Sequence, residues 1–176
     1  MKIIVFSDNH RDKTVVDWII NHHNDAERII SLGDSEMKEH ELSSLGVFGV
    51  KGNYPFEPDF PFELEMEFEE VRFFITHGHR YFVKTGLYNL KSTLESRKCD
   101  VALFGHTHQA MIKKEDNFLF LNPGSTTHPK LGVEKSYMII NLLKRNISVE
   151  LREVYTDKLI KKHMEHLPPR RDIYGL

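Results

Sequence analysis

The sequence predicts an α/β domain built as two mixed β-sheets packed face to face, with helices outside. Strand-like apolar runs alternate with helical spacing through the first half of the chain, and hairpins dominate the second. No repeat, low-complexity tract or linker interrupts the 176 residues, so residues 1–176 read as one domain.

Lys2 to Phe6 is a short β-branched run, the pattern of a buried strand. Asp12 is placed to cap a helix reaching about Asn24, with Val16, Ile19, Ile20 and His23 on one face. Arg28 to Leu32 and Val47 to Val50 are further strands, and Tyr54 to Pro61 is a proline-bearing loop. Phe62 to Phe68 alternates apolar residues with glutamates, which predicts a half-exposed strand. It forms a hairpin with Val71 to Ile75 across Glu69-Glu70. Leu87, Leu90 and Leu94 predict a helix to about Lys98, followed by an apolar strand from Val101 to Phe104. Two more hairpins follow, Ala110–Lys114 with Phe118–Leu121 and Tyr137–Leu143 with Ile147–Val154. The last twenty residues read as helical before turning basic and proline-rich.

Composition narrows the function. A formal net charge of −2 gives no overall basic field for holding nucleic acid. Cys99 is the single cysteine, which excludes an internal disulfide and a Cys-rich zinc site and makes the cytoplasm the expected compartment. The N-terminal apolar run is four residues long, too short for a signal peptide or a span, so no membrane is expected as a partner. Histidine is abundant, at 11 residues.

Five short polar motifs each directly follow an apolar strand: Asp8-Asn9-His10, Gly33-Asp34, Gly52-Asn53, His77-Gly78-His79 and Gly105-His106-Thr107-His108. Taken singly, each is ordinary turn chemistry or a surface loop. Their joint occurrence in order at strand ends is what points to a site. Ligands of α/β sheets bind beyond the carboxyl ends of strands, so these side chains are expected to converge. The candidate ligands are oxygen and nitrogen donors: Asp8, His10, Asp34, Asn53, His77, His106 and His108. Seven donors are too many for one tetrahedral ion and suit two ions about 3.5–4 Å apart with a carboxylate between them.

This series of motifs resembles the calcineurin-like metallophosphoesterase superfamily, and within it the YfcE-like phosphodiesterases, from Met1 to about Val154. Asn122-Pro123-Gly124-Ser125, with Pro129 and Lys130 after it, is also similar to that branch. The resemblance implies a four-layer αββα fold and two divalent ions, Mn by family habit with Zn, Fe and Ni open. It assigns Asp8, His10, Asp34 and His108 to one ion and Asp34, Asn53, His77 and His106 to the other, with Asp34 as the bridge. The expected reaction is hydrolysis of a small phosphate ester by a hydroxide shared between the ions. Asn53 ligates as a neutral group and keeps the site attractive to anions. His79 is a candidate general acid or a support for the ligands. Asn9 donates to the phosphate or shapes its turn, and His128 is held in reserve for the rim.

The sequence departs from the family pattern in two places. Many relatives carry G-N-H-E, whereas Tyr54 and Pro55 follow Asn53, and Lys130 stands where an arginine is common. A non-catalytic metal-binding scaffold of the same fold is the rival reading. So is a nuclease or nucleotide hydrolase, which would need a basic or aromatic substrate channel; Phe56, Phe60, Tyr81 and Phe82 lie near the motifs, but such aromatics are more often core. Nucleotide or nucleic-acid substrates and a homo-oligomeric state stay open.

Overall fold

The structure is a computed structural model describing residues 1–54 and 59–169. Its strands are β1 (Lys2–Phe6), β2 (Arg28–Ser31), β3 (Val47–Gly49), β4 (Glu63–Phe68), β5 (Val71–Thr76), β6 (Val101–Leu103), β7 (Met111–Glu115), β8 (Phe118–Asn122), β9 (Ser136–Leu143), β10 (Asn146–Glu153) and β11 (Leu159–His166). The helices are α1 (Lys13–His22), α2 (Glu39–Ser44) and α3 (Tyr88–Arg97), with a single 3₁₀ turn at His79–Tyr81. Among the described residues no helix is long and apolar enough to cross a membrane.

One sheet runs β11-β10-β9-β1-β2-β3 and the other β4-β5-β6-β8-β7. Both are mixed. β1, β2 and β3 are parallel while β9 to β11 pair antiparallel, and β5, β6 and β8 are parallel with antiparallel β4 and β7 at the edges. The inner faces share a core that includes Ile3, Val5, Ile30, Leu32, Phe73, Ile75, Leu103, Leu121 and Ile140. Because side chains alternate along a strand, Ile4, Phe6 and Ile139 face outward instead and pack beneath Val15, Val16 and Ile19 of α1. On the other flank Phe74, Ala102, Phe104 and Phe120 are covered by Leu90 and Leu94 of α3. Helix, sheet, sheet and helix therefore stack in four layers, as the resemblance implies.

Most element boundaries fall within a residue or two of the sequence reading. Asp12 caps α1, its Oδ1 accepting from Val15 N at 3.1 Å. Glu69 and Glu70 make the β4–β5 turn with both φ angles positive (48° and 66°), the geometry whose twist matches a two-residue hairpin. The C-terminal segment corrects the expectation of a helix. Leu159–His166 is a strand paired with β10 from Asn146 to Arg152, because hydrogen bonding the open edge of β10 outweighs the modest helix propensity of its Lys, Glu and Met residues. Residues 170–176, like Pro55 and Phe56, lie outside the described residues. α2 was not anticipated: it has six residues and a single buried apolar side chain, Leu42, too little for a periodic signal.

At the end of the sandwich where β6 begins, Arg145 and Asp100 pin the two sheets together. Arg145, in the β9–β10 turn, has Nη2 2.7 Å from Asp100 Oδ1, just before β6. Its Nε donates to Pro168 O at 3.0 Å, and Nη1 donates to Glu70 O. Asp100 Oδ2 accepts from Arg72 N at 2.8 Å. Both side chains are nearly inaccessible, at 11% and 8% exposed. Removing one member of a buried pair leaves an uncompensated charge. Asp100→Ala should therefore lower unfolding free energy by about 3–5 kcal/mol in urea denaturation, whereas substituting both residues with apolar ones of similar volume should recover much of that loss. A single variant as stable as the parent would show that the pin contributes little.

Candidate metal centre

The chain leaves β1, β2, β3, β5 and β6 at the same end of the sandwich, and each exit carries one of the five motifs. Backbone hydrogen bonds continue the parallel ladders into these exits. Asp8 N donates to Gly33 O at 3.1 Å, His10 N to Asp34 O at 3.1 Å and Gly105 N to His77 O at 3.0 Å. Tight approach explains two of the glycines: a Cβ at Gly52 would overlap Asp34 Oδ1, and one at Gly105 would overlap Ser7 Oγ. Asp8, His10, Asp34, His106 and His108 all adopt positive φ (54°, 41°, 46°, 66° and 54°). This left-handed conformation disfavours side chains. It turns each residue out of the alternation of its strand and into the cleft.

The structure brings all seven candidate ligands together. His77 Nε2 lies 3.2 Å from Asn53 Oδ1, 3.4 Å from Asp34 Oδ2 and 4.0 Å from Asp8 Oδ1. His108 Nε2 lies 3.0 Å from Asp8 Oδ1. The His106 ring is 5.1 Å from His77, and the His10 ring 5.4 Å from His108. Ligand atoms cluster within 4.8 Å of one another in two groups, Asp8-His10-His108 and Asp8-Asp34-His77. Asp8 is common to both, whereas the family pattern makes Asp34 the shared residue.

Five of these side chains are held through one atom and present the other. Asp8 Oδ2 accepts from Ser7 Oγ at 2.5 Å, while Oδ1, buried, accepts no aligned hydrogen bond among the described residues despite the nearby His108 nitrogen. Asp34 Oδ1 accepts from Asn53 N at 2.8 Å and Tyr54 N at 3.1 Å, which leaves Oδ2 facing His77. His77 Nδ1 donates to Leu32 O at 2.8 Å and His108 Nδ1 to His128 O at 2.6 Å. His10 Nδ1 is 2.8 Å from Glu36 Oε1. Anchoring Nδ1 fixes each imidazole with Nε2 toward the cleft, the arrangement that orients histidine on a metal. An orphaned carboxylate oxygen ringed by oriented nitrogens fits a cation, and the all O/N donor set suits a borderline or hard divalent ion.

Charge follows the same geometry. Burial works against the Asp34 carboxylate, but the His77 contact and two backbone N–H groups outweigh it and hold its pKa below the usual range. Burial also opposes charge on His77, yet Asp34 and Asp8 raise its pKa. Contact with Asp8 raises His108. Burial and neighbouring His77 push His106 down to about 4, and the same two causes lower His79.

The remaining predicted residues have distinct places. His79 stands 5.5 Å from His77 and 6.0 Å from His106 between ring centroids, its Nδ1 buried and without a partner among the described residues. Asn9 is buried with Nδ2 3.4 Å from Met37 Sδ, and its backbone carbonyl accepts from Asp12 N at 2.8 Å. His128 is exposed at the rim, its ring 5.0 Å from His10. Phe60 belongs to the core under α1, as aromatics near a motif more often do, the Tyr81 hydroxyl donates to Glu63, and Phe82 is exposed. Sequence reasoning missed Ser7, Glu36, Ser125 and Thr127. Ser125 Oγ and Thr127 Oγ1 both donate to Asp8 O, at 2.9 and 2.8 Å, and Ser125 Oγ accepts from His128 N. The Asn-Pro-Gly-Ser segment was the one signal for that clamp.

A third group, His22-His23-Asp157, also brings ligand atoms together. Its bonds are satisfied internally. The Lys2 ammonium, a donor only, lies 3.3 Å from His23 Nδ1, so His23 Nε2 carries the proton and donates to Tyr137 Oη at 2.9 Å. Tyr137 in turn donates to Asp157 Oδ1 at 2.5 Å. With His23 Nε2 and Asp157 Oδ1 committed, the group does not match the centre at the strand ends.

Comparison with known proteins agrees with the geometry. Residues 1–145 match the calcineurin-like phosphoesterase superfamily domain. The probable metallophosphoesterase YsnB of Bacillus subtilis is 32% identical over 143 residues, covering 81% of this chain and 85% of the relative. The phosphodiesterase YfcE of Escherichia coli K12 is 32% identical over 103 residues, covering 54% of this chain and 52% of its own. A predicted phosphoesterase from Streptococcus pneumoniae superposes with a TM-score of 0.81 at 27% identity, over 93% of this chain and 97% of that one. The chain belongs to the calcineurin-like phosphoesterase superfamily, in its YfcE-like branch.

Proposed function

We propose that the chain is a phosphodiesterase working with two divalent ions in this cleft, with Asp34 shared between them. The observation that carries this reading is the pair of buried carboxylates, Asp8 and Asp34, each with one oxygen anchored and the other turned toward imidazole nitrogens. Asp8, His10 and His108 would hold one ion and Asn53, His77 and His106 the other. Asp34 would serve both ions, held in place by the two backbone N–H groups that donate to its Oδ1. Bound ions supply a hydroxide near neutral pH and withdraw charge from phosphoryl oxygens. Mn is the expected occupant, and Zn, Fe and Ni suit the same donors. Asn53 adds an oxygen without a charge, which keeps the cleft attractive to an anionic ester. His79, beside His77 and His106, is placed to support the ligands or pass a proton to the leaving group. The relative named a phosphodiesterase points to the same reaction class.

Asp34→Ala should abolish turnover and lower metal content at both positions, read by elemental analysis of the purified protein. His79→Ala should keep both metals. Loss of metal from the His79 variant would make it a ligand and overturn the assignment.

His106 sits at a φ of 66° and makes no hydrogen bond among the described residues, so without metal only its ring contacts with His77 and His79 offset the strain. His106→Gly should lose one metal equivalent, while its metal-free form melts at least as high as the metal-free parent, since a left-handed side chain costs about 1–2 kcal/mol. A clearly lower melting temperature would show that the imidazole contributes packing that exceeds this strain.

The diesterase reading rests on the leaving group. Tyr54 occupies the position of the G-N-H-E histidine, and its hydroxyl accepts from Arg11 Nη2 at 2.8 Å. A poor alkoxide leaving group depends on a proton, and general-acid help is typically worth about 10²–10⁴-fold. Aryl diesters such as bis-p-nitrophenyl phosphate should therefore be cleaved with higher kcat/KM than alkyl monoesters at saturating Mn. Equal efficiency on alkyl monoesters would assign the acid role to another group, His79 first, and end the diesterase reading.

A further inference from the structure

We propose that Arg11 is a specificity-determining residue that binds a second anionic group on the substrate, beyond the phosphoryl group that reacts. This rests on the phosphoesterase reading and adds a substrate class to it: a phosphate ester carrying a further phosphate or carboxylate.

Arg11 follows His10 after β1, and Tyr54 follows Asn53 after β3, so each adjoins a proposed ligand at a different strand exit of one sheet. Arg11 Nη2 donates to Tyr54 Oη at 2.8 Å, with the guanidinium carbon 5.6 Å from the ring centroid. Arg11 Nε lies 3.3 Å from Glu36 Oε2, and the other oxygen of that carboxylate meets His10 Nδ1 at 2.8 Å. Tyr54 N donates to Asp34 Oδ1. The guanidinium is thus oriented by two partners and ties the loop after β1 to the loop after β3.

Glu36 stands between Arg11 and the His10 ring, whose ligand atom clusters with those of Asp8 and His108. Arg11 thus meets the ligands through a carboxylate and a ring rather than directly. Its side chain is 64% exposed, and among the described residues Nη1 has no partner. A planar fork with one donor edge held and another open to solvent matches a carboxylate or phosphate extending out of the cleft. Lys130 does not compete for this role, because its ammonium donates to Gln109 Oε1 at 2.9 Å.

The test compares two non-reacting ligands on the Mn-loaded protein by calorimetry: methylphosphonate, with one anionic group, and 3-phosphonopropionate, with a carboxylate in addition. The parent should bind 3-phosphonopropionate about tenfold more tightly, a typical effect of one charge-assisted contact. Arg11→Gln should bring the ratio to about one, and Arg11→Lys should keep part of it, since the charge stays but the fork is lost. Metal content, measured in parallel, should be the same in all three proteins. Equal affinities in the parent, a ratio that survives Arg11→Gln, or loss of metal from that variant would each overturn the assignment. Failure of the parent to bind either phosphonate would instead overturn the phosphoesterase reading, and this proposal with it.

Discussion

The site depends on one constraint: each principal polar side chain is fixed through one atom so that its other atom must face the cleft. A carboxylate or imidazole free to rotate would satisfy itself with the nearest donor or acceptor. Here Ser7 holds one oxygen of Asp8, two backbone N–H groups hold one oxygen of Asp34, and carbonyl oxygens of Leu32 and His128 hold His77 and His108. What faces inward is a set of lone pairs in a place with almost no solvent, since Asp8 is 0% and Asp34 5% exposed. Like charges so buried repel and are poorly hydrated. A multivalent cation would relieve both effects at once, which would couple the fold to metal binding.

The sandwich supplies the geometry for that constraint. The β1 and β2 exits come from one sheet and the β5 and β6 exits from the other, so the cleft is assembled across the interface of the two sheets. Its shape depends on their relative placement. The shared apolar core fixes that placement along the interior, and the Arg145–Asp100 pair fixes it at the end where β6 begins. Segment 125–128 then closes the cleft from outside by holding the Asp8 carbonyl and the His108 imidazole together.

The sequence made the parallel strands and their motifs legible because both signals are local. An apolar run ending in Gly-Asp or Gly-His carries its own period and its own stop. The two departures were non-local. β11 is a strand because β10 has an edge to pair with, and α2 is held by the cap at Lys38 N and Glu41 and by the burial of Leu42. The ligand candidates could be listed from strand ends alone. Their anchors could not: Ser7 and Glu36 are ordinary polar loop residues until the fold sets one against Asp8 and the other against His10. Arg11 was invisible for the same reason, as its role comes from a tyrosine 43 positions away.

The left-handed backbone at Asp8, His10, Asp34, His106 and His108 carries an evolutionary consequence. Glycine relieves a positive φ, and asparagine tolerates it better than most side chains. The five positions differ in what replacement costs. Asp34 also satisfies the N–H groups of Asn53 and Tyr54, and His108 the carbonyl of His128, so their loss leaves those backbone groups unpaired. His106 has no such bond among the described residues, and there relief of the backbone is opposed least. Replacement of the ligand set is therefore expected to begin at His106.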